Sequence, residues 1–183
     1  YVTLFRDTDS LALLLNSVIL AVSSALLATL IGTFAAVGIH SMRGRIRSLV
    51  MTVTNIPLVN PEIVTGVSLS LLFVFVGRGL LHTENVLGFT TLLIAHVTFN
   101  LPYVILSVMP KLRQMDNQLM DAAQDLGCTP VQGFFKVVLP ELWPGIISGA
   151  IMAFTMSLDD FVISYFVYGN SFVTLPVEIY TNT

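Results

Sequence analysis

The sequence predicts an all-α membrane protein, and three observations carry that expectation. Of its 183 residues, 55% are hydrophobic and only 10% charged, where a soluble domain carries about 25% charged residues. The charges are also bunched, leaving 33 uncharged residues between Asp9 and Arg43 and 26 between Glu84 and Lys111. Finally, the formal net charge of −3 and the mean hydropathy of +0.85 exclude two soluble classes. A nucleic-acid binder needs a basic excess, and a disordered chain needs low hydrophobicity.

A spanning helix takes about 20 largely apolar residues, and four stretches qualify. The first, at about 11–39, is too long for the apolar region of a secretory leader, and no small-residue cleavage site follows it. Its Ala28, Gly32 and Ala36 recur every four residues, a face suited to close helix packing within the subunit or against a partner. Next comes a loop bearing Arg43, Arg45 and Arg47. The second span, at about 49–76, contains Pro57 and Pro61, which should kink or break it. The third, at about 86–109, holds His96 and Asn100 one turn apart; interhelical hydrogen bonding is the expectation, with a path-lining role as the alternative. The fourth, at about 142–168, opens with Trp143, read as an interface anchor. No repeat and no Pro/Ser-rich linker divides the chain, so residues 1–183 read as one membrane domain.

Counting basic residues orients it. The loop after the first span and the connection 111–140 together hold six (Arg43, Arg45, Arg47, Lys111, Arg113, Lys136), and the opposite side holds Arg6 and Arg78. The positive-inside rule puts the two richer loops in the cytoplasm. The single Cys128 then lies in a cytoplasmic connection as an ordinary reduced thiol.

Residues 111–140 are too polar for lipid, yet they are patterned. Met115, Leu119, Ala122, Ala123 and Leu126 recur at helical spacing, with Asp116, Gln118, Asp121 and Asp125 off that stripe. Gly127 supplies a left-handed stop. Thr129 and Pro130 then form an N-cap and first-turn proline for a second short helix, which should bury Val131, Phe134, Phe135 and Val138 and end at Pro140. Two short helices meeting at a glycine corner suit a docking element; the alternative is a structured loop packed on its own membrane domain.

Asp121-Ala122-Ala123, Gly127 and Phe135-Lys136-Val137-Val138-Leu139-Pro140 resemble the EAA loop of permease subunits of bacterial ABC importers, with Asp121 where that family usually has Glu. Asn16-Ser17, Pro61-Glu62-Ile63-Val64, His96-Val97-Thr98-Phe99 and Ser157-Leu158-Asp159-Asp160 are similar to its spermidine/putrescine branch, in particular the C-type permeases. The resemblance implies a type I importer (MetI-like) set of transmembrane helices in the bacterial inner membrane. It also implies that Asp121, Ala122, Ala123, Gly127 and Pro140 belong to a coupling helix seated on an ATPase subunit. A second related permease, two ATPase copies and an extracytoplasmic substrate-binding protein would complete the assembly. ATP and magnesium would sit in the ATPase subunits and none in this chain, which has no Gly-rich phosphate loop with Lys. The family has six spans, so this chain, starting at Tyr1 and stopping at Thr183 after a short apolar stretch, is expected to be a fragment lacking the first and last.

Three carboxylates fall at membrane depth: Glu62, Asp159 and Asp160. Each costs roughly 2.5–3.5 kcal/mol at a helix centre unless a wet cavity or partner receives it. The four spans contain no Lys or Arg to pair with them, which points to a path for a cation. For Glu62 a second reading is open, in which Asn60 caps a half-helix and Glu62 complements its dipole. On the fourth span Ser157, Asp160, Ser164 and Tyr168 form one polar stripe, with Thr155, Asp159 and Phe166 on an adjacent sector. Asp160 is expected to face a pore, the alternative being a helix end exposed to outer water. Tyr103, Phe161 and Tyr165 could add cation–π contacts. An intramembrane protease is not supported, because Asp159 and Asp160 are adjacent and Ser68 and His96 lack a Gly-flanked nucleophile. An ion-coupled secondary carrier of a small cation remains the alternative, although it leaves the patterned cytoplasmic connection without a role.

Overall fold

The computed structural model describes residues 8–59, 62–79, 87–116, 118–167 and 174–181, and all regular structure among them is helical. Helix α1, Thr8–His40, has 33 residues and is about 50 Å long at the α-helical rise, longer than the roughly 30 Å hydrocarbon core. The expected second span is two helices, α2 (Gly44–Val59, with Pro57 inside) and α3 (Glu62–Gly79). Asn60 and Pro61 lie outside the described residues, and so does the cap expected of Asn60. Helix α4, Phe89–Gln114, is the third span.

Helices α1 and α4 pack with α7 (Leu139–Asp159) into a three-helix scaffold whose core includes Ala28, Ala36, Val104, Val108 and Ala153. The small-residue face of α1 therefore packs within the subunit. A Cβ on Gly32 would lie 2.8 Å from Val104 Cγ1; hydrogen there lets α1 and α4 approach closely. A second core joins Leu20 of α1 with Leu92, Ala95 and Phe99 of α4 and with Ile163 and Val167. The last two belong to α8, Val162–Val167, and α3 packs chiefly against α8.

On the expected cytoplasmic side, α5 (Gln118–Asp125) leads to a turn in which Gly127 has φ +84°, the left-handed stop that the sequence predicts. Thr129 caps α6 (Pro130–Gly133): its Oγ1 accepts from Gln132 N–H at 3.3 Å, and its own N–H donates to Gln132 Oε1 at 3.1 Å. The expectation that Pro140 ends this helix is corrected. A π-helical turn at Phe134–Val138 carries α6 directly into α7, with Leu139 N–H bonded to Phe134 C=O. The wider turn accommodates Pro140, whose ring an α-turn would drive against the carbonyl four residues back.

The fourth span also differs from its expected 142–168. It is continuous from Pro130 to Asp159, then breaks at Asp160–Phe161 before α8 resumes; Tyr168 lies outside the described residues. A final helix, α9 (Leu175–Thr181), returns to α1, where Leu175 N–H donates to Ser17 Oγ at 2.9 Å. At the opposite end Phe34 stacks on Phe134 with centroids 6.4 Å apart, and Ile39, Leu112 and Val138 share one core. The six basic residues of the two expected cytoplasmic loops thus gather at one end of the bundle.

Candidate functional site

About 24 Å from either end of α1, polar side chains from three helices meet in an otherwise apolar interior. Ser157 of α7 is the centre. Its hydroxyl accepts from Asn100 Nδ2 at 2.8 Å, and it lies 2.7 Å from Ser24 Oγ and 3.0 Å from His96 Nδ1. Ser24, His96, Asn100 and Ser157 are all buried, and an unpaired polar group at that depth is costly. Interhelical hydrogen bonding, expected for His96 and Asn100, is what both do. Sequence reasoning gives Ser24 no role. A signal is nonetheless present, since Ser17 and Ser24 are seven residues apart and share the α1 stripe that carries Ala21 and Ala28.

The other ring nitrogen of His96 faces α8, with Nε2 at 3.1 Å from Ser164 Oγ and 3.6 Å from Asp160 Oδ2. Asp160 caps α8: Oδ1 accepts from Ile163 N–H at 3.3 Å, and Oδ2 accepts from Ser164 N–H at 2.9 Å, with Ser164 Oγ 3.3 Å away. These bonds satisfy donors that a helix start leaves open. Only 8% of Asp160 is accessible, so the expectation that it faces a pore is corrected. Ser157 and Ser164, on the same expected stripe, also turn into the bundle.

Asp159 and Glu62 are placed differently, and both are exposed. Asp159 is the last residue of α7, where the negative end of the helix dipole adds to its own charge. Glu62 opens α3, where the positive end complements it. A cavity of about 210 Å³ is lined by Ile63 of α3, by Phe161 in the break after α7, and by Val162, Tyr165 and Phe166 of α8. Its aromatic wall is ordered by ring contacts, Phe161 to Tyr165 at 5.5 Å and Tyr165 to Phe166 at 5.6 Å. Glu62 precedes the lining residue Ile63, and Asp159 stands two residues before Phe161. Among the described residues, neither carboxylate pairs with a Lys or Arg.

The cytoplasmic connection forms a second surface. The stripe expected to lie on one side of α5 is divided. Ala123 is buried and Met115 and Met120 pack inward, whereas Leu119, Ala122 and Leu126 face outward beside Asp121 and Asp125. Leu126 is 87% exposed, and Val131 and Phe135 continue the apolar surface. Pro140, expected to belong to this element, lies further along at the start of α7.

Four apolar helices long enough to cross a membrane, a basic end and an apolar, carboxylate-edged cytoplasmic surface define a multi-pass membrane transport component. Residues 11–183 match the family described as binding-protein-dependent transport system inner membrane component. The chain belongs to that family, and it is an inner-membrane ABC importer permease, not an enzyme. It is 38% identical over 99% of its length to the spermidine/putrescine transport system permease protein PotC of Haemophilus influenzae, covering 68% of that protein. It is 36% identical over 99% of its length to the permease of the same name from Escherichia coli K12, covering 66%. To the putrescine transport system permease protein PotI of Escherichia coli K12 it is 39% identical over 100% of its length, covering 65%. The chain thus spans about two thirds of the length of these curated relatives.

Proposed function

We propose that this chain passes polyamines, spermidine or putrescine, into the cytoplasm as one half of an ATP-driven membrane path. The observation that carries this reading is the aromatic cavity whose lining residues Ile63 and Phe161 stand one residue after Glu62 and two after Asp159, carboxylates that pair with no Lys or Arg among the described residues. A polyamine alternates methylene segments with ammonium groups. It therefore asks for apolar surface next to carboxylates, with aromatic faces to receive a desolvated ammonium. In this reading Glu62, Asp159 and Tyr165 touch the passenger, and Ser157, Asp160 and Ser164 hold the helix ends that present them. The names of the relatives above support the same substrate class.

The remainder of the assembly is part of the proposal. A second related permease supplies the facing half of the path, and an extracytoplasmic binding protein delivers the substrate. Two ATPase subunits, which hold ATP and magnesium, dock on the α5–α6 corner through Asp121, Ala122, Ala123 and Gly127. ATP-driven closure of the ATPase pair moves that corner, and the rigid α6–α7 helix carries the movement towards Asp159. Uptake of labelled spermidine by the complete transporter in proteoliposomes tests this reading. Glu62→Gln and Asp159→Asn are each expected to reduce uptake about tenfold, the factor of one charge-assisted contact, with ATPase still co-purifying. Undiminished uptake in both variants removes these carboxylates from the path.

A further inference from the structure

We propose that His96 is a positioning residue that fixes the break between α7 and α8, and through it the placement of the aromatic cavity. The inference rests on the transport reading above but begins from the hydrogen-bond count. Ser24 Oγ donates its single proton to Ala21 C=O at 3.1 Å, so it accepts from Ser157. With its proton so used, Ser157 accepts from Asn100 Nδ2 and also from His96 Nδ1, so Nδ1 carries a proton. Nε2 then carries no proton and accepts the single hydroxyl proton of Ser164 at 3.1 Å, the shorter of that hydroxyl's two contacts, on the far side of the break. One ring, held in α4, thereby links the last turn of α7 to α8.

The α-helical course is interrupted at this point, where Asp160 is extended (φ −71°, ψ 111°) and its carboxylate caps the following segment. The angle between the two helices is therefore set by side chains. Leu20, Leu92 and Ala95 pack on Ile163 and Val167 without direction, whereas the two ring nitrogens of His96 are directional. Phe161 lies within the break and Tyr165 one turn beyond it, and both line the cavity. A ring that holds Ser164 in register thus holds Tyr165 as well. Asn100, with Nδ2 on Ser157, secures the α7 side alone.

The test uses the complete transporter in nanodiscs and proteoliposomes, with His96→Phe, which keeps ring volume, and His96→Gln, which keeps two hydrogen-bonding groups. In His96→Phe, amide exchange at Ile163 and Ser164 is expected to accelerate about tenfold, the factor of one buried hydrogen bond, with exchange in the middle of α7 unchanged. The KM for spermidine uptake is expected to rise by a similar factor, with the maximal rate changed far less. His96→Gln should recover part of both effects. Unchanged exchange and KM in His96→Phe overturn the proposal, as does a His96→Gln variant no better than His96→Phe. Acceleration throughout α1, α4 and α7 also overturns it, because it would mark a general loss of packing. Should His96→Phe fail to assemble, Ser164→Ala removes only the α8 end of the link, and the same outcomes decide. The exchange measurement needs no substrate, so a wild-type transporter that fails to accumulate spermidine would sink the polyamine reading, while the role of His96 in the break would still be decided by exchange.

Discussion

A carboxylate placed among apolar helices must find donors, and Asp160 finds them in the opening turn of the helix it precedes. Asparagine caps a helix start about as well as aspartate, whereas alanine loses about 1–2 kcal/mol. Asp160→Ala is therefore expected to lower the unfolding stability of the detergent-solubilised protein by that amount, and Asp160→Asn by much less. Equal losses in thermal unfolding would mean that the charge near His96, rather than the cap, holds the site together. The pair Asp159-Asp160 also shows where sequence reasoning runs out. Two identical neighbours end up in opposite surroundings, one exposed at the end of α7 and one buried before α8. No proline or glycine marks the break between them. Helical periodicity extended across it assigns Asp160 to a pore, because a stripe drawn on a continuous helix cannot anticipate a helix that stops. By contrast, the pairing of His96 with Asn100 along one buried face is legible, since a polar residue at that depth must hydrogen-bond across helices.

At the level of elements, the corner between α5 and α6 is the most legible part of the chain. Gly127, Thr129 and Pro130 each satisfy a local backbone demand, and local demands do not depend on the rest of the fold. Pro140 reads as a stop in the sequence but is none, because its cost depends on the turn before it. The π-turn at Phe134–Val138 removes the clash, and no single residue type announces such a turn. The outcome is one helix of 30 residues, Pro130 to Asp159, that joins the exposed corner to the carboxylate end. Under the proposed coupling, movement at the corner would be carried along this helix as a rigid-body displacement. Gly127→Val places a β-branched residue at φ +84°, at a cost of about 1–3 kcal/mol. No atom lies within 4 Å of the added Cβ, so the strain falls on the backbone angle and not on packing. The variant is expected to insert and assemble, to retain ATP hydrolysis and to move less spermidine per ATP. Wild-type stoichiometry in that variant would show that the corner does not transmit the stroke.

For the whole molecule, the decisive quantity is which end faces the cytoplasm, because the proposed docking at the α5–α6 corner requires that an ATPase can reach it. The basic residues of both expected cytoplasmic loops cluster at the end where α1, α4 and α7 converge, so the charge rule and the packing point the same way. The chain supplies its own probe, since Cys128 is its only cysteine. It lies between Gly127 and Thr129, half-buried, with its N–H bonded to Ala123 C=O at 3.0 Å. A charged, membrane-impermeant maleimide should therefore modify Cys128 in inside-out vesicles and leave it unmodified in intact cells. Bound ATPase should slow the reaction, because a partner resting on Leu126 and Ala122 would cover the approach to the thiol. Labelling of intact cells would invert the topology and take the α5–α6 corner out of reach of any ATPase. Labelling confined to inside-out vesicles but indifferent to ATPase would keep the orientation and move the docking surface elsewhere on the cytoplasmic end.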